Sequence, residues 1–296
     1  MSSPPSRRSA TTRLRPAVAD VRRTPPPRRD RVAGPPRHPP APLSRVADIV
    51  RALHDARPDA RVELDHDSPF QLLIATILSA QCTDARVNRV TPALFRAYPD
   101  TAAFARAPRA DLERAIRSTG FFRAKARAIG ACCRALLERH GGQVPRTMEE
   151  MVRLPGVGRK TANVVLGAGY GIPSGIVVDT HMARVASRLG LTRQSDPVKI
   201  ERDLLAVVPS AEWIFFSIAL ILHGRYVCQA RLPRCGACPL RPHCPSRDLE
   251  AEILAAKSGG TKTAGMKGAR PTRRKVAASP AGRNRRGRPH PAPGRT

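Results

Sequence analysis

The chain has 296 residues, with 52 Lys or Arg against 23 Asp or Glu and a net charge of +29. That length allows one large or two modest domains, and the charge points to a polyanionic partner such as nucleic acid. A membrane role is not expected: no apolar run of about 18 residues is present, and no long Lys-rich amphipathic stretch stands out.

The charge is concentrated at the ends. Residues 1–42 hold ten Arg against Asp20 and Asp30, with many prolines, and residues 253–296 hold twelve Lys or Arg and no acid. Both segments read as disordered basic tails, the second starting at about 248, that serve either as solubilising filler or as non-specific DNA contacts. An organelle transit helix is disfavoured in the first by its prolines. Removing 8 and 12 charges leaves +9 on residues 43–252, so the foldable part is basic in its own right.

Between the tails the apolar residues recur at helical spacing. Val46, Ile49, Val50 and Leu53 form one face, Leu73, Ile77 and Ala80 a second, and Leu112, Ala115 and Ile116 a third that stops at Ser118-Thr119-Gly120. Thr147-Met148-Glu149-Glu150 has the form of a capping box. It precedes Leu154-Pro155-Gly156-Val157-Gly158-Arg159-Lys160-Thr161-Ala162, which reads as a glycine turn opening a helix that runs to about residue 167. Gly156 and Gly158 around Val157 would let the turn adopt unusual backbone angles and present amide N–H groups to a phosphate oxygen. Such a hairpin grips the DNA backbone without reading sequence. The only β-branched run, Ile176-Val177-Val178, is too short for a sheet, and the core is expected to be all-α. Asp179 follows it as an N-cap for a helix over residues 182–189. Phe215, Ile218, Ala219 and Leu222 then continue the helical pattern towards the cysteines.

Four of the seven cysteines, Cys228, Cys235, Cys238 and Cys244, are spaced C-x6-C-x2-C-x5-C within 17 residues. Four thiolates this close can hold a zinc ion or an iron–sulfur cluster. A zinc ribbon normally supplies two C-x2-C knuckles and only one is present, which favours iron–sulfur over zinc. Disulfides are disfavoured by the odd cysteine total and by the lack of an apolar export segment at the N-terminus. Cys82, Cys132 and Cys133 read as small core side chains.

The hairpin at 154–162, the sequence Val178-Asp179-Thr180-His181, the segment Leu78-Ser79-Ala80-Gln81-Cys82-Thr83-Asp84 and the cysteine spacing together resemble the endonuclease III family of helix–hairpin–helix DNA glycosylases, over roughly residues 43–247. The resemblance implies two helical lobes, one of residues 62–173 with the hairpin and one combining 43–61 with 174–247 and a 4Fe–4S cluster on the four cysteines. It implies a bifunctional glycosylase and abasic-site lyase that removes oxidised pyrimidines and nicks the strand by β-elimination. Its partner would be double-stranded DNA carrying damaged bases or abasic sites, met by a monomer in the cytoplasm at the nucleoid.

By the same resemblance Lys160 attacks the anomeric sugar carbon, in positive potential from the helix start and Arg159 that suits a nucleophilic amine, and Asp179 is the catalytic carboxylate. Gln81 would fill the space left by a flipped base and Phe121, where the family often has leucine, would wedge the opposite strand. Ser79, Asp84 and His181 are candidates for the base pocket. A mismatch adenine glycosylase shares most of these motifs but typically lacks the lysine and has a further C-terminal domain, while a non-enzymatic iron–sulfur DNA-binding regulator would need neither Lys160 nor Asp179.

Overall fold

The structure, a computed structural model, describes residues 41–259. Residues 1–40 and 260–296, and with them nearly all of both expected tails, lie outside the described residues. Every regular element described is helical and no strand occurs among them.

The first helix, α1 (Leu43–Ala56), buries Val46, Ile49, Val50 and Leu53. Next, α2 (Pro69–Leu78) starts at Ser68, whose hydroxyl accepts from the Gln71 N–H at 3.2 Å, with Pro69 at the first helical position, where its missing donor is no loss. It ends at Leu78, so Ala80 lies in the following turn and is exposed, off the helical face on which the spacing put it. Helices α3 (Asp84–Ala97), α4 (Thr101–Arg106) and α5 (Arg109–Ala115) lead to a 3-10 turn at Arg117–Thr119 and to the long α6 (Phe122–His140). Then come α7 (Met148–Met151) and α8 (Arg159–Val164), which runs on through a π-helical turn, Val165–Gly169. Helices α9 (Thr180–Arg188), α10 (Pro197–Val207) and α11 (Trp213–Tyr226) follow. The segment Ile176-Val177-Val178 is buried but joins no sheet, because the Val177 N–H donates to the Ser217 hydroxyl at 3.0 Å instead of to a neighbouring strand.

Two hydrophobic clusters result. One gathers buried residues between Leu64 and Leu166, and the other joins the buried face of α1 to residues between Ile176 and Leu240. In the first, Phe104 is fully buried, edge-on to Phe70 and Phe95 at 5.7 and 6.5 Å and tilted against Tyr98 at 5.2 Å. One compact unit of the chain ends at Glu252 and a second begins at Ile253.

The tail drawn from residue 248 does not begin as coil. A helix, α12 (Leu249–Gly259), occupies its start, with Glu250 and Glu252 in the first turn, where acids favour the helix dipole, and strong helix formers after them. Among the described residues no helix is long and apolar enough to cross a membrane.

Replacing Phe104 by Ala should destabilise the protein by about 3–5 kcal/mol, because three aromatic neighbours lose their partner and a buried cavity forms. Chemical denaturation checks this: the midpoint should fall with little change in the slope.

Candidate functional site

The hairpin is built from α7, a turn and α8. Thr147 caps α7 by accepting from the Glu150 N–H, while its own hydroxyl donates to the Glu150 carboxylate at 2.6 Å, so the capping pair closes side chain to side chain. Leu154 and Val157 are buried, and the Val157 N–H donates to the Leu154 carbonyl at 3.1 Å. Val157 therefore anchors the turn with both its side chain and its N–H. Only one of the two glycines is required by the backbone. Gly156 has φ +79 and a Cβ there would stand 2.8 Å from the Ala128 Cβ, whereas Gly158 has φ −95 and nothing within 4 Å of the Cβ site. The open space over Gly158 is the kind that a closely approaching backbone or phosphate fills.

Lys160 is exposed in the first turn of α8. Arg159, expected to add positive potential beside it, has its charge engaged: Nε and Nη2 donate to the two oxygens of buried Glu201 at 2.8 and 3.0 Å. That bonding holds the Arg159 guanidinium above its ordinary pKa. Glu201 also accepts from Asn163 Nδ2 at 3.0 Å, and Asn163 Oδ1 accepts from the Ser174 hydroxyl at 2.9 Å. Asp179 caps α9 through Oδ1, which accepts the Met182 N–H at 2.7 Å, and the helix begins at Thr180, two residues earlier than its apolar pattern suggested.

Lys160 and Asp179 line one cleft, together with Ser79 and Asp84. Two residues that sequence reasoning missed, Arg225 and Glu63, shape its polar wall. Arg225, near the end of α11, donates to Asp84 Oδ2 at 2.6 Å and to Glu63, and the Tyr226 hydroxyl donates to the same Glu63 carboxylate. The desolvation of Arg225 is offset by these carboxylates, which hold its pKa above the ordinary value. An arginine closing an otherwise apolar helix was the available signal. For Glu201 it was an acid set among the apolar positions Ile200 and Leu204.

Gln81, Phe121 and His181 are not among the residues lining the cleft. Gln81 is exposed in the turn after α2, and Phe121 is 65% exposed at the N-cap of α6. His181 turns its Nδ1 to accept from Arg184 at 3.2 Å, and its Cβ would lie 2.9 Å from a Cβ on Gly224 of α11. Burial holds the His181 imidazole below its usual pKa, opposed by Asp179 and reinforced by Arg184 and Arg225.

Cys228, Cys235, Cys238 and Cys244 are free thiols around a single cavity, with Arg188 and His223 beside them. Among the described residues no group of three or more His, Cys, Asp or Glu is placed to hold a metal ion. Burial pushes the Cys238 and Cys244 thiols up to about 11. Thiolates there need compensating positive charge, which a bound metal group would supply. Arg188 Nη1 approaches Cys228 Sγ at 3.3 Å and donates to the Gln229 carbonyl at 2.7 Å. Within the same stretch Arg231 and Arg234 are exposed. Cys132 and Cys133 are fully buried in the first cluster, where burial pushes both thiols up, Cys132 to about 12.

Residues 74–210 match the model of the HhH-GPD superfamily base excision DNA repair proteins. Endonuclease III of Synechocystis sp. is 54% identical over 202 residues, covering 68% of this chain and 92% of that protein. The endonuclease III of Escherichia coli K12 is 41% identical over 201 residues, covering 68% of this chain and 95% of that one. Among solved structures, a trapped endonuclease III–DNA covalent intermediate superposes with a TM-score of 0.68 at 42% identity, covering 71% of this chain and 99% of the other.

Gly156→Ala should destabilise the protein by about 1–2 kcal/mol or more, from the left-handed backbone and the contact with Ala128. Gly158→Ala should leave stability unchanged. It should instead lower DNA affinity, and paired thermal melts and DNA titrations of the two variants check the contrast.

Proposed function

This chain belongs to the endonuclease III family of base-excision DNA glycosylase and abasic-site lyases, and we propose that it acts on oxidised pyrimidines in double-stranded DNA with Lys160 as nucleophile and Asp179 as the carboxylate beside it. The observation that carries this reading is that Lys160 and Asp179, from two separate helix starts, line the same cleft with Ser79 and Asp84.

A base cannot be reached inside a stacked duplex, so the nucleotide is turned out into the cleft. The Lys160 amine, relieved of a proton with help from the Asp179 carboxylate, attacks C1′; the C1′–N bond breaks and the base leaves with a proton. Asp179 also offsets the positive charge that develops on the sugar, and its bond to the Met182 N–H fixes the carboxylate for that task. Ring opening gives an imine between Lys160 and the sugar. Loss of a C2′ proton then expels the 3′ phosphate by breaking the C3′–O bond, and water releases the sugar and restores the amine. Ser79, Asp84 and Arg225 face the cleft and would contact the base. The hairpin, through the exposed Gly156 and Gly158, would hold the DNA backbone, with Gln81 and Phe121 entering the duplex.

Cys228, Cys235, Cys238 and Cys244 would hold a 4Fe–4S cluster. Its contribution when bound is structural, stiffening the loop that carries Arg231 and Arg234 for phosphate contact. The two hydrophobic clusters support a division into a lobe of residues 62–173 and a lobe of 43–61 with 174–247. We take the protein to act as a monomer in the cytoplasm, at the nucleoid where its substrate lies. A mismatch adenine glycosylase and a non-enzymatic regulator are not favoured, since the relatives reported above are endonucleases III.

Lys160→Ala should abolish borohydride trapping of a protein–DNA adduct while lesion binding remains, and Asp179→Asn should slow single-turnover base release by about 10²–10⁴, because an amide oxygen still caps α9 but carries no charge. Adduct formation by the alanine variant at the wild-type rate would remove Lys160 from this role.

Serine at any of the four clustered cysteines should lose iron and its visible absorbance and weaken DNA binding, whereas serine at Cys82, Cys132 or Cys133 should retain both. Metal analysis of anaerobically purified protein is the check; about one zinc per chain and no iron would overturn the cluster assignment.

A further inference from the structure

Among the described residues only two that are not glycine adopt a positive φ, Gln81 at 52° and Phe121 at 47°. A left-handed backbone costs an ordinary residue about 1–2 kcal/mol and persists only where surrounding structure enforces it. These two lie 40 positions apart in sequence, one after α2 and the other before α6. They are also the two side chains assigned above to the opened duplex.

One buried group holds both turns. Lys125, in the first turn of α6, is 4% exposed, and its Nζ donates to the Leu78 carbonyl at 2.7 Å and to the Thr119 carbonyl at 2.8 Å. Leu78 closes α2 three residues before Gln81, and Thr119 precedes Gly120 and Phe121. Gly120 itself has φ +70, so the chain reverses immediately after the carbonyl that Lys125 holds. Both recorded partners are backbone carbonyls, and the Leu78 carbonyl lies at the negative end of α2. An uncharged side chain of the same length would fill this space with less desolvation, and capping α2 alone would need no reach to Thr119. Burial lowers the Lys125 pKa, with Cys82 opposing the shift. The placement thus carries an energetic penalty, and what it achieves is a bridge between two turns.

We propose that Lys125 is a positioning residue that clamps the turns 79–83 and 117–121 into one rigid unit, so that Gln81 and Phe121 are presented to DNA together at a fixed separation. This rests on the DNA-contact reading of those two residues. Opening a duplex needs both: one side chain fills the vacated place while the other parts the opposite strand, and a wedge that yields when pushed cannot hold a base out. A fixed pair places the ordering penalty in folding, before DNA is met.

The test compares single-turnover cleavage of an abasic site in duplex DNA with cleavage of the same strand alone, where no partner strand needs parting. The full-length, iron-loaded chain is used. Lys125→Met should slow duplex cleavage at least about tenfold, roughly 1.4 kcal/mol, and change single-strand cleavage less than about twofold. Gln81→Ala combined with Phe121→Ala should show the same selectivity, and adding Lys125→Met to that pair should cause no further loss, since residues acting as one unit are not additive. Equal losses on both substrates, a general loss of fold, or an additive triple variant would each overturn the clamp. A double alanine variant that cleaves duplex at the wild-type rate would instead overturn the DNA-contact reading beneath it.

Native-state hydrogen exchange on the unchanged protein gives a second measurement. The Cys82 and Ala124 amides, bonded to the Ser79 and Phe121 carbonyls, should open with one common free energy and one denaturant slope; separate values would overturn the proposal.

Discussion

The placement of Lys160, the amine proposed as nucleophile, depends on a buried carboxylate. Glu201 is 6% exposed on α10 and takes three N–H groups from α8: two from Arg159, the residue before Lys160, and one from Asn163, a turn further on. Gly175 packs so closely that a Cβ there would clash with a Glu201 oxygen. A charge buried this far is tolerable only with its partners in place, and removing one of a buried set typically costs about 3–5 kcal/mol. The half-exposed Arg159 lessens that figure here. The arrangement fixes the rotation and height of α8, and with them the position of Lys160. It also links the hairpin helix to an element of the other hydrophobic cluster, so the cleft wall is set by packing on both sides.

Asp179 is held by a parallel device. Its helix, α9, starts at the cleft and is tied along its length to the cysteine segment. Arg184 donates to the Gly224 carbonyl at 2.7 Å and the Cys228 carbonyl at 3.2 Å, and Arg188 holds the carbonyls of Gln229 and Ala230. The Ser246 hydroxyl in turn donates to the Arg188 carbonyl at 2.9 Å. A group bound by the four thiols would therefore act on the far end of the helix that Asp179 caps. Such a group would thereby influence the site by orientation alone, without taking part in bond cleavage.

The residues that meet DNA in this reading follow a common pattern. Each reactive or probing side chain stands at a helix terminus or in a turn, and each is backed by a buried polar contact: Glu201 behind α8, the Met182 N–H behind Asp179, and Lys125 behind both Gln81 and Phe121. Side chains at such ends are exposed enough to reach substrate, and the contacts behind them remove the freedom that exposure would otherwise allow.

Much of this was legible in the sequence, because the signals are local. The spacing of Val46, Ile49, Val50 and Leu53 gives the buried face of α1, and the position of Asp179 before an apolar-periodic run marks it as a cap. Four cysteines in 17 residues come to line one cavity. Helix period, capping and short loops depend on neighbours within a few residues, which the sequence displays directly. Where the local rule was applied too broadly, it failed locally: two glycines looked equally required in the hairpin, yet only Gly156 has a positive φ. What the tertiary structure alone decided is pairing across distance. Arg225 reaches Asp84 and Glu63 over 141 and 162 positions, Lys125 reaches Leu78 over 47, and Arg159 reaches Glu201 over 42. In a chain with so many charged residues each of these had many possible partners. Burial selected among them, since a charge withdrawn from water must find its counterpart among the groups that the packed helices bring to it.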